Sequence, residues 1–305
     1  MARGIRFVPQ EGTVVEVTGR TLQGRLLLRP SAELRSITIG ILARAKRLYG
    51  VQIHTFVFLS NHFHLLLSVQ DVHELANFMC YVSSNLAREA GRLYQWKEKF
   101  WGRRYQAIVV SDEEEAQISR LEYILSHGVK EGLVERPQDW PGAHAVNALL
   151  TGESLEGLWF DRTQEYAARR RGEDFERMKY ATVEILTLDP LPCWSGLSTD
   201  GYRERIASLL ARIEANARAE RERKGTEPLG RAAVLAQDPH GKPIRSKKSP
   251  APRFHAFRKS IRRELYDAYA WFVAVFREAS EKLRAGDLTA RFPSGSFPPA
   301  LPFVS

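Results

Sequence analysis

Cysteine is nearly absent from this chain of 305 residues. The two present, Cys80 and Cys193, lie far apart and lack zinc-type spacing, so neither a disulfide framework nor a cysteine metal site is indicated. Long apolar runs are missing too. The longest, Leu265 to Phe276, is interrupted by Asp267 and is too short to span a bilayer. Met1 to Gln10 lack the apolar stretch of a secretory signal, and no internal repeat is visible. These absences predict a soluble, cytoplasmic protein that relies on a packed core, for which an apolar fraction of 44% is ample. Acidic residues are the minority charge, 36 against 45 basic, which leaves a formal net charge of +9. The sequence pI is about 9.6. Such a surplus attracts phosphate polymers or anionic membranes and says nothing about fold.

Strand and helix signals alternate in the first half. Thr13 to Val17 and Arg25 to Leu28 read as short strands. Ala32 to Tyr49 has helical periodicity, with Ser31 as N-cap and Gly50 as stop. Val51 to Leu59 and His62 to Val69 read as a hairpin around Ser60-Asn61. Val72 to Tyr94 reads as a helix and Arg104 to Val110 as a strand. A helix capped by Asp112 then runs to about Lys130, with Glu113, Glu114 and Glu115 where the helix dipole favours acids. The order β-α-β-β-α-β predicts an α+β fold: a ferredoxin-like antiparallel sheet with helices on one face, plus a mainly helical C-terminal extension. The expected division is residues 1–150 and 151–305. Gln164 to Tyr180, Gly201 to Lys224 and Arg253 to Arg284 are helical in pattern, and Gly225 to Pro252 reads as a flexible linker or arm.

The sharpest local feature is Asn61-His62-Phe63-His64-Leu65-Leu66-Leu67. Alternation along a strand puts His62 and His64 on one face, and Phe63, Leu65, Leu67 and Val69 on the other. Two imidazoles one pleat apart suit one metal ion; they also suit a pair of hydrogen-bonded surface histidines. On the next helix, Ile118, Leu121, Leu125 and Val129 form a core stripe, while Tyr123 and His127 project from roughly the opposite side, one turn apart. A tyrosine kept for packing belongs on the stripe, and Tyr123 is off it.

Three segments together resemble the REP-associated tyrosine transposases and related insertion-sequence transposases, members of the single-tyrosine HUH endonucleases. They are His54 to Leu67 with its histidine–hydrophobic–histidine triplet, Phe100-Trp101-Gly102-Arg103-Arg104-Tyr105, and Tyr123 to Val134 followed by Asp139-Trp140-Pro141. The resemblance covers about residues 10 to 150. It implies a DNA transposase that cleaves and rejoins single-stranded or hairpin DNA through a 5′-phosphotyrosine. It implies Tyr123 as nucleophile and His62, His64 and His127 as ligands of Mg²⁺ or Mn²⁺. In the family an Asn or Gln usually stands where His127 is, often with Pro next, where this chain has Gly128. A histidine there either keeps the ligand role with altered metal preference or marks a degenerate, domesticated member that only binds DNA. A metal-dependent hydrolase is the third reading. Tyr94 and Tyr105 are fallback nucleophiles. Arg20, Arg103, Arg104 and Lys130 are candidate phosphate contacts, and Trp101 is either a base-stacking platform or a core residue. The basic stretch Lys242 to Lys248 and the cluster Arg258, Lys259, Arg262, Arg263 either grip flanking DNA or form a solvated tail. The resemblance also admits a homodimer that exchanges the tyrosine helix, acting at the nucleoid.

Overall fold

The structure, a computed structural model, describes residues 5–172, 176–243 and 252–300. It begins with β1 (Thr13–Arg20), a 3-10 turn at Leu22–Gly24, α1 (Ala32–Tyr49), β2 (Gln52–Phe58) and β3 (His62–Val69). There follow α2 (Val72–Leu93), β4 (Gln106–Val110), α3 (Glu114–Leu125) and α4 (His127–Lys130). These four strands pair antiparallel in the order β2-β3-β1-β4, the expected ferredoxin-like arrangement. Ser31 caps α1 by accepting from the Leu34 N–H, and Gly50 closes it at φ 72°, where a β-carbon would be strained.

Strand alternation sets two faces. Val15, Val17, Phe63, Leu65 and Leu67 share one, all buried. Gly19 lies directly opposite Phe63, and a β-carbon there would sit 2.5 Å from the Phe63 ring. Trp101 packs edge-on against that ring and donates its indole N–H to the Ser83 carbonyl of α2, so α2, packed with α1, covers this face. The other face carries Glu16, Thr18, His62 and His64, and α3 lies over it against β2 and β3. The expectation of helices on one face therefore holds for α1 and α2 only. The histidine face continues into the buried Val57 and Leu66, which need apolar cover.

Other expectations need correction. Arg25 to Leu28 form no strand: Leu27 and Leu28 are buried by packing, and the Leu28 N–H donates to the Ser60 carbonyl. Asp112 does not cap the tyrosine helix, which starts at Glu114 and breaks at Ser126; the Asp112 carboxylate accepts from the Gln10 side chain. Across and just beyond the expected boundary at residue 150 come α5 (Val146–Thr151), β5 (Leu155–Phe160), α6 (Arg162–Arg170) and β6 (Ala181–Leu186). β5 and β6 form a separate antiparallel pair that the sequence reading missed. β5 lies against α1 through Gly40 and Gly157, where an added β-carbon would come within 2.3 Å of opposing backbone.

The remaining helices are α7 (Thr199–Lys224), α8 (Arg231–Leu235) and α9 (Lys259–Arg284), with a short β7 (Phe254–His255) before α9. The stretch read as a linker is not a free tether in its described part. The Leu229 and Gly230 N–H groups donate to the Gly132 and Leu133 carbonyls just beyond α4. Ser60 donates to Gln237, and Arg25 to the His240 carbonyl. Residues 244–248 of the basic stretch fall outside the described residues. β7 then joins the main sheet parallel to β4, and α9 docks through Phe272 and Tyr269 against Phe7 and Phe254. No helix among the described residues is long and apolar enough to cross a membrane.

Glu113, at the head of α3, holds this return. Its carboxylate accepts from the backbone N–H groups of Phe257 and Arg258, from Arg258 Nε at 2.8 Å and from the Ser111 hydroxyl. Burial alone would raise its pKa, but those donors outweigh it and hold the carboxyl at about 2. Because the folded pKa lies below the ordinary 4.5, the contribution is full above that value and is lost as pH falls towards 2. Glu113→Gln, which keeps one acceptor but loses the charge, should cost on the order of 1–2 kcal/mol at neutral pH. It should also flatten the acid limb of a urea-midpoint-against-pH curve between those values. An unchanged limb would show that Glu113 does not anchor the C-terminal part.

Candidate metal and nucleophile site

The three histidines converge. Ring centroids are 5.3 Å apart for His62 and His64, 5.3 Å for His62 and His127, and 4.2 Å for His64 and His127. One ligand nitrogen from each lies within 4.8 Å of the other two, and this is the one such cluster found among the described residues. β3 supplies two of these side chains by alternation. The Ser126 break and the single turn of α4 supply the third.

Each imidazole is oriented through Nδ1. His64 donates to Glu16 Oε1 at 2.7 Å. His127 sits 3.2 Å from the Tyr123 carbonyl one turn back. His62 lies 2.6 Å from Asn61 Oδ1, and that amide is oriented by its own NH₂, which donates to the Gly24 carbonyl. All three partners are acceptors, so each Nδ1 carries a proton, which in a neutral ring leaves the Nε2 lone pair for a metal. Outer acceptors fixing a tautomer in this way are characteristic of metal-binding histidines. Burial, reinforced by the neighbouring imidazoles, pushes His62 down to about 3 and His127 to about 2, which keeps both neutral, the form that binds metal.

Tyr123 stands at the edge of this cluster, with its ring 5.6 Å from that of His64 and 4.7 Å from that of His127. Arg120 Cζ lies 4.2 Å from the tyrosine ring centroid and Lys130 Nζ 4.9 Å from it. Burial raises the phenol pKa and Glu16 adds to this, while Arg120 opposes both. The fallback tyrosines are engaged elsewhere. The Tyr94 hydroxyl donates to the Arg29 carbonyl, and Tyr105 sits among Arg6, Arg104 and Cys80.

Sequence reasoning missed two residues here. Glu16 is fully buried on β1, with one oxygen on His64 and the other on Arg120. Burial would raise its pKa; His64 and Arg120 reverse this and lower it. The bridge ties a histidine strand to the tyrosine helix. A lone acid in the apolar run Thr13-Val14-Val15-Glu16-Val17 was the available signal, since such a residue needs a partner. Arg120 left no comparable trace, because a single arginine on a helix is unremarkable.

Of the candidate DNA contacts, Arg20 is exposed on the histidine face of β1, near enough to depress the His62 pKa. Arg103 and Arg104 are exposed in the turn after Trp101, which is held to β1 by the Gly102 N–H donating to the Arg20 carbonyl. Trp101 is half-buried with its N–H committed to Ser83, a placement that favours packing over stacking on bases.

Two solved structures resemble the chain loosely. One is a REP-associated tyrosine transposase bound to a REP hairpin, with TM-score 0.41, 16% identity, and coverage of 49% of this chain and 85% of that one. The other is a Deinococcus radiodurans R1 protein described as a transposase, with TM-score 0.28, 20% identity, and coverage of 40% and 95%. No curated protein matches the chain significantly. Residues 31–127, the span from the cap of α1 to the last of the three histidines, match the family model described as "Transposase IS200 like". By this match the segment that carries His62, His64, Tyr123 and His127 is similar to the IS200-like transposases.

Proposed function

We propose that this chain is a DNA transposase that cleaves and rejoins single-stranded DNA through Tyr123, beside a divalent metal held by His62, His64 and His127. The observation that carries the reading is the convergence of three imidazoles, each with Nδ1 turned to an acceptor and Nε2 free of one, next to a tyrosine off the core stripe. A divalent cation there would polarise the scissile phosphate and offset charge developing on it. Three nitrogen donors fit Mn²⁺ or a later transition metal better than Mg²⁺, which prefers oxygen.

The chain's own groups would do the rest. Tyr123 Oη attacks phosphorus as its proton leaves to solvent; the P–O3′ bond breaks, and the departing oxygen takes up a proton. A 5′-phosphotyrosine and a free 3′-hydroxyl remain, the polarity that the family resemblance implies. Attack by a 3′-hydroxyl on the phosphotyrosine reverses the bond exchange, so recombination needs no external energy source. Arg120 and Lys130 lie against the phenol ring, and the Arg120 charge opposes the rise in its pKa that burial causes. Arg20, Arg103, Arg104 and Lys130 would take phosphates on either side, with Trp101 supporting the loop that bears two of them. In this reading the three histidines and Tyr123 all come from one chain. A DNA substrate puts the working protein at the nucleoid.

The direct test is denaturing electrophoresis with 3′-labelled single strands taken from the flanks of the gene. A slow-migrating covalent adduct should form with Mn²⁺ and vanish with EDTA. Blunt duplex should bind more weakly than single-stranded or hairpin DNA, and salt should weaken binding steeply. An adduct indifferent to EDTA would remove the metal from the reading, and equal affinity for duplex and single strand would reduce the chain to a generic basic protein.

A further inference from the structure

A single exposed aromatic is ordinary on a protein surface. Phe257 differs in how it is held. The residue is 67% exposed, yet its backbone N–H is fixed by the buried Glu113 carboxylate, which also takes the next N–H and the Arg258 guanidinium. The loop is thus locked at its main chain while the ring is left in water. Cations surround it: Arg258 beside it, then Lys259 and Arg262 exposed in the first turns of α9. A rigid apolar ring flanked by positive charge is the arrangement single-stranded nucleic acid uses, with bases stacking on the ring and phosphates following the cations.

Position supports the same occupant. β7 extends the sheet beyond β4, and the loop after it is bonded to Glu113 at the head of the nucleophile helix. His255, two residues before Phe257, is within electrostatic reach of Arg120 and Glu16 of the site and of Arg262 and Glu113. Tyr123 is ten residues along α3 from Glu113, about 15 Å at the helical rise. That gap suits a stack of roughly four or five nucleotides at about 3.4 Å each.

We propose that Phe257, with Lys259 and Arg262, is a base-stacking platform for the single strand leaving the Tyr123 site. The proposal rests on the DNA reading above and adds where the strand runs and which residues hold it. The experiment is fluorescence anisotropy of the full chain with single-stranded oligonucleotides of graded length, read beside the covalent-adduct assay. With wild type, affinity should rise as the strand grows past about five nucleotides beyond the cleaved bond. Phe257→Ala should remove that rise, a loss of roughly tenfold, at an unchanged melting temperature. Phe257→Trp should restore it, because an indole face also stacks. Arg262→Glu should reduce the salt slope of binding by about one or more. If Phe257→Ala and Arg262→Glu both follow the wild-type length and salt curves while the adduct still forms at Tyr123, the platform is overturned and the transposase reading stands. If wild type binds no single strand and forms no adduct, both fall. If Phe257→Ala instead splits a dimer in light scattering without touching DNA affinity, the ring is a contact between copies and the proposal is overturned.

Discussion

Tyr123→Phe should abolish the covalent protein–DNA adduct, a loss of at least roughly a thousandfold, while the fold and the metal affinity stay near wild type. The substitution removes one oxygen from a half-buried ring and keeps the ring contacts with His64 and His127 and the two cations above its face. The expected stability change is within about 1 kcal/mol. The chemistry, by contrast, has no substitute. Tyr94 and Tyr105 are the fallback phenols, and each is engaged away from the triad. The same experiment separates the three readings of the sequence. Loss of adduct with loss of strand cleavage supports transposition chemistry. Loss of adduct with persistent, metal-dependent cleavage indicates a hydrolase in which the histidines activate water. Wild type that binds hairpin DNA and never forms an adduct indicates a domesticated DNA-binding protein. An undiminished adduct in the variant would remove Tyr123 from the mechanism outright.

The second large effect is expected at His127, where this chain departs from the family's amide. His127→Ala removes one of three donors from a buried site, and metal affinity should fall at least tenfold, since loss of even an outer partner costs about 10–100-fold. His127→Gln would place an amide oxygen where Nε2 now stands. It should recover part of the affinity and shift preference from Mn²⁺ towards Mg²⁺, because the smaller cation favours hard oxygen ligands. Isothermal titration with each metal, read beside adduct yield, checks both statements. Wild-type metal affinity in His127→Ala would reduce the site to two histidines completed by water. Unchanged metal preference in His127→Gln would mean that the position does not select the ion.

The fold of the first half was legible where the pattern was local. Ser31 and Gly50 bound α1 as expected, because a cap and a left-handed stop act within one turn of the chain. The limits of β3 were also anticipated, because the alternation of Phe63, Leu65 and Leu67 with His62 and His64 is a period of two. Elements that owe their existence to distant partners were not. β5 is a strand because Gly40 and Gly157 let it lie against α1, and neither glycine signals the other in sequence. Leu27 and Leu28 look like a strand and are not one, because burial without a pairing edge leaves the same apolar trace.

The site divides along the same line. Two readings came from the chain's own periodicities: that His62 and His64 share a face, and that Tyr123 lies off the side of α3 that buries Leu121 and Leu125. Tertiary structure alone decided that the histidine pair meets Tyr123 and His127. α3 crosses the histidine face because Val57 and Leu66 there require cover, and the Ser126 break turns His127 inward as a buried donor. It alone revealed Glu16 and Arg120, which join strand to helix through a carboxylate separated from its partners by 48 and 104 residues of sequence. It alone showed a C-terminal part tied to both ends of the tyrosine helix, at Glu113 and at Gly132–Leu133. Periodicity reports which side of its own element a residue occupies; what that side faces depends on packing between elements distant in sequence.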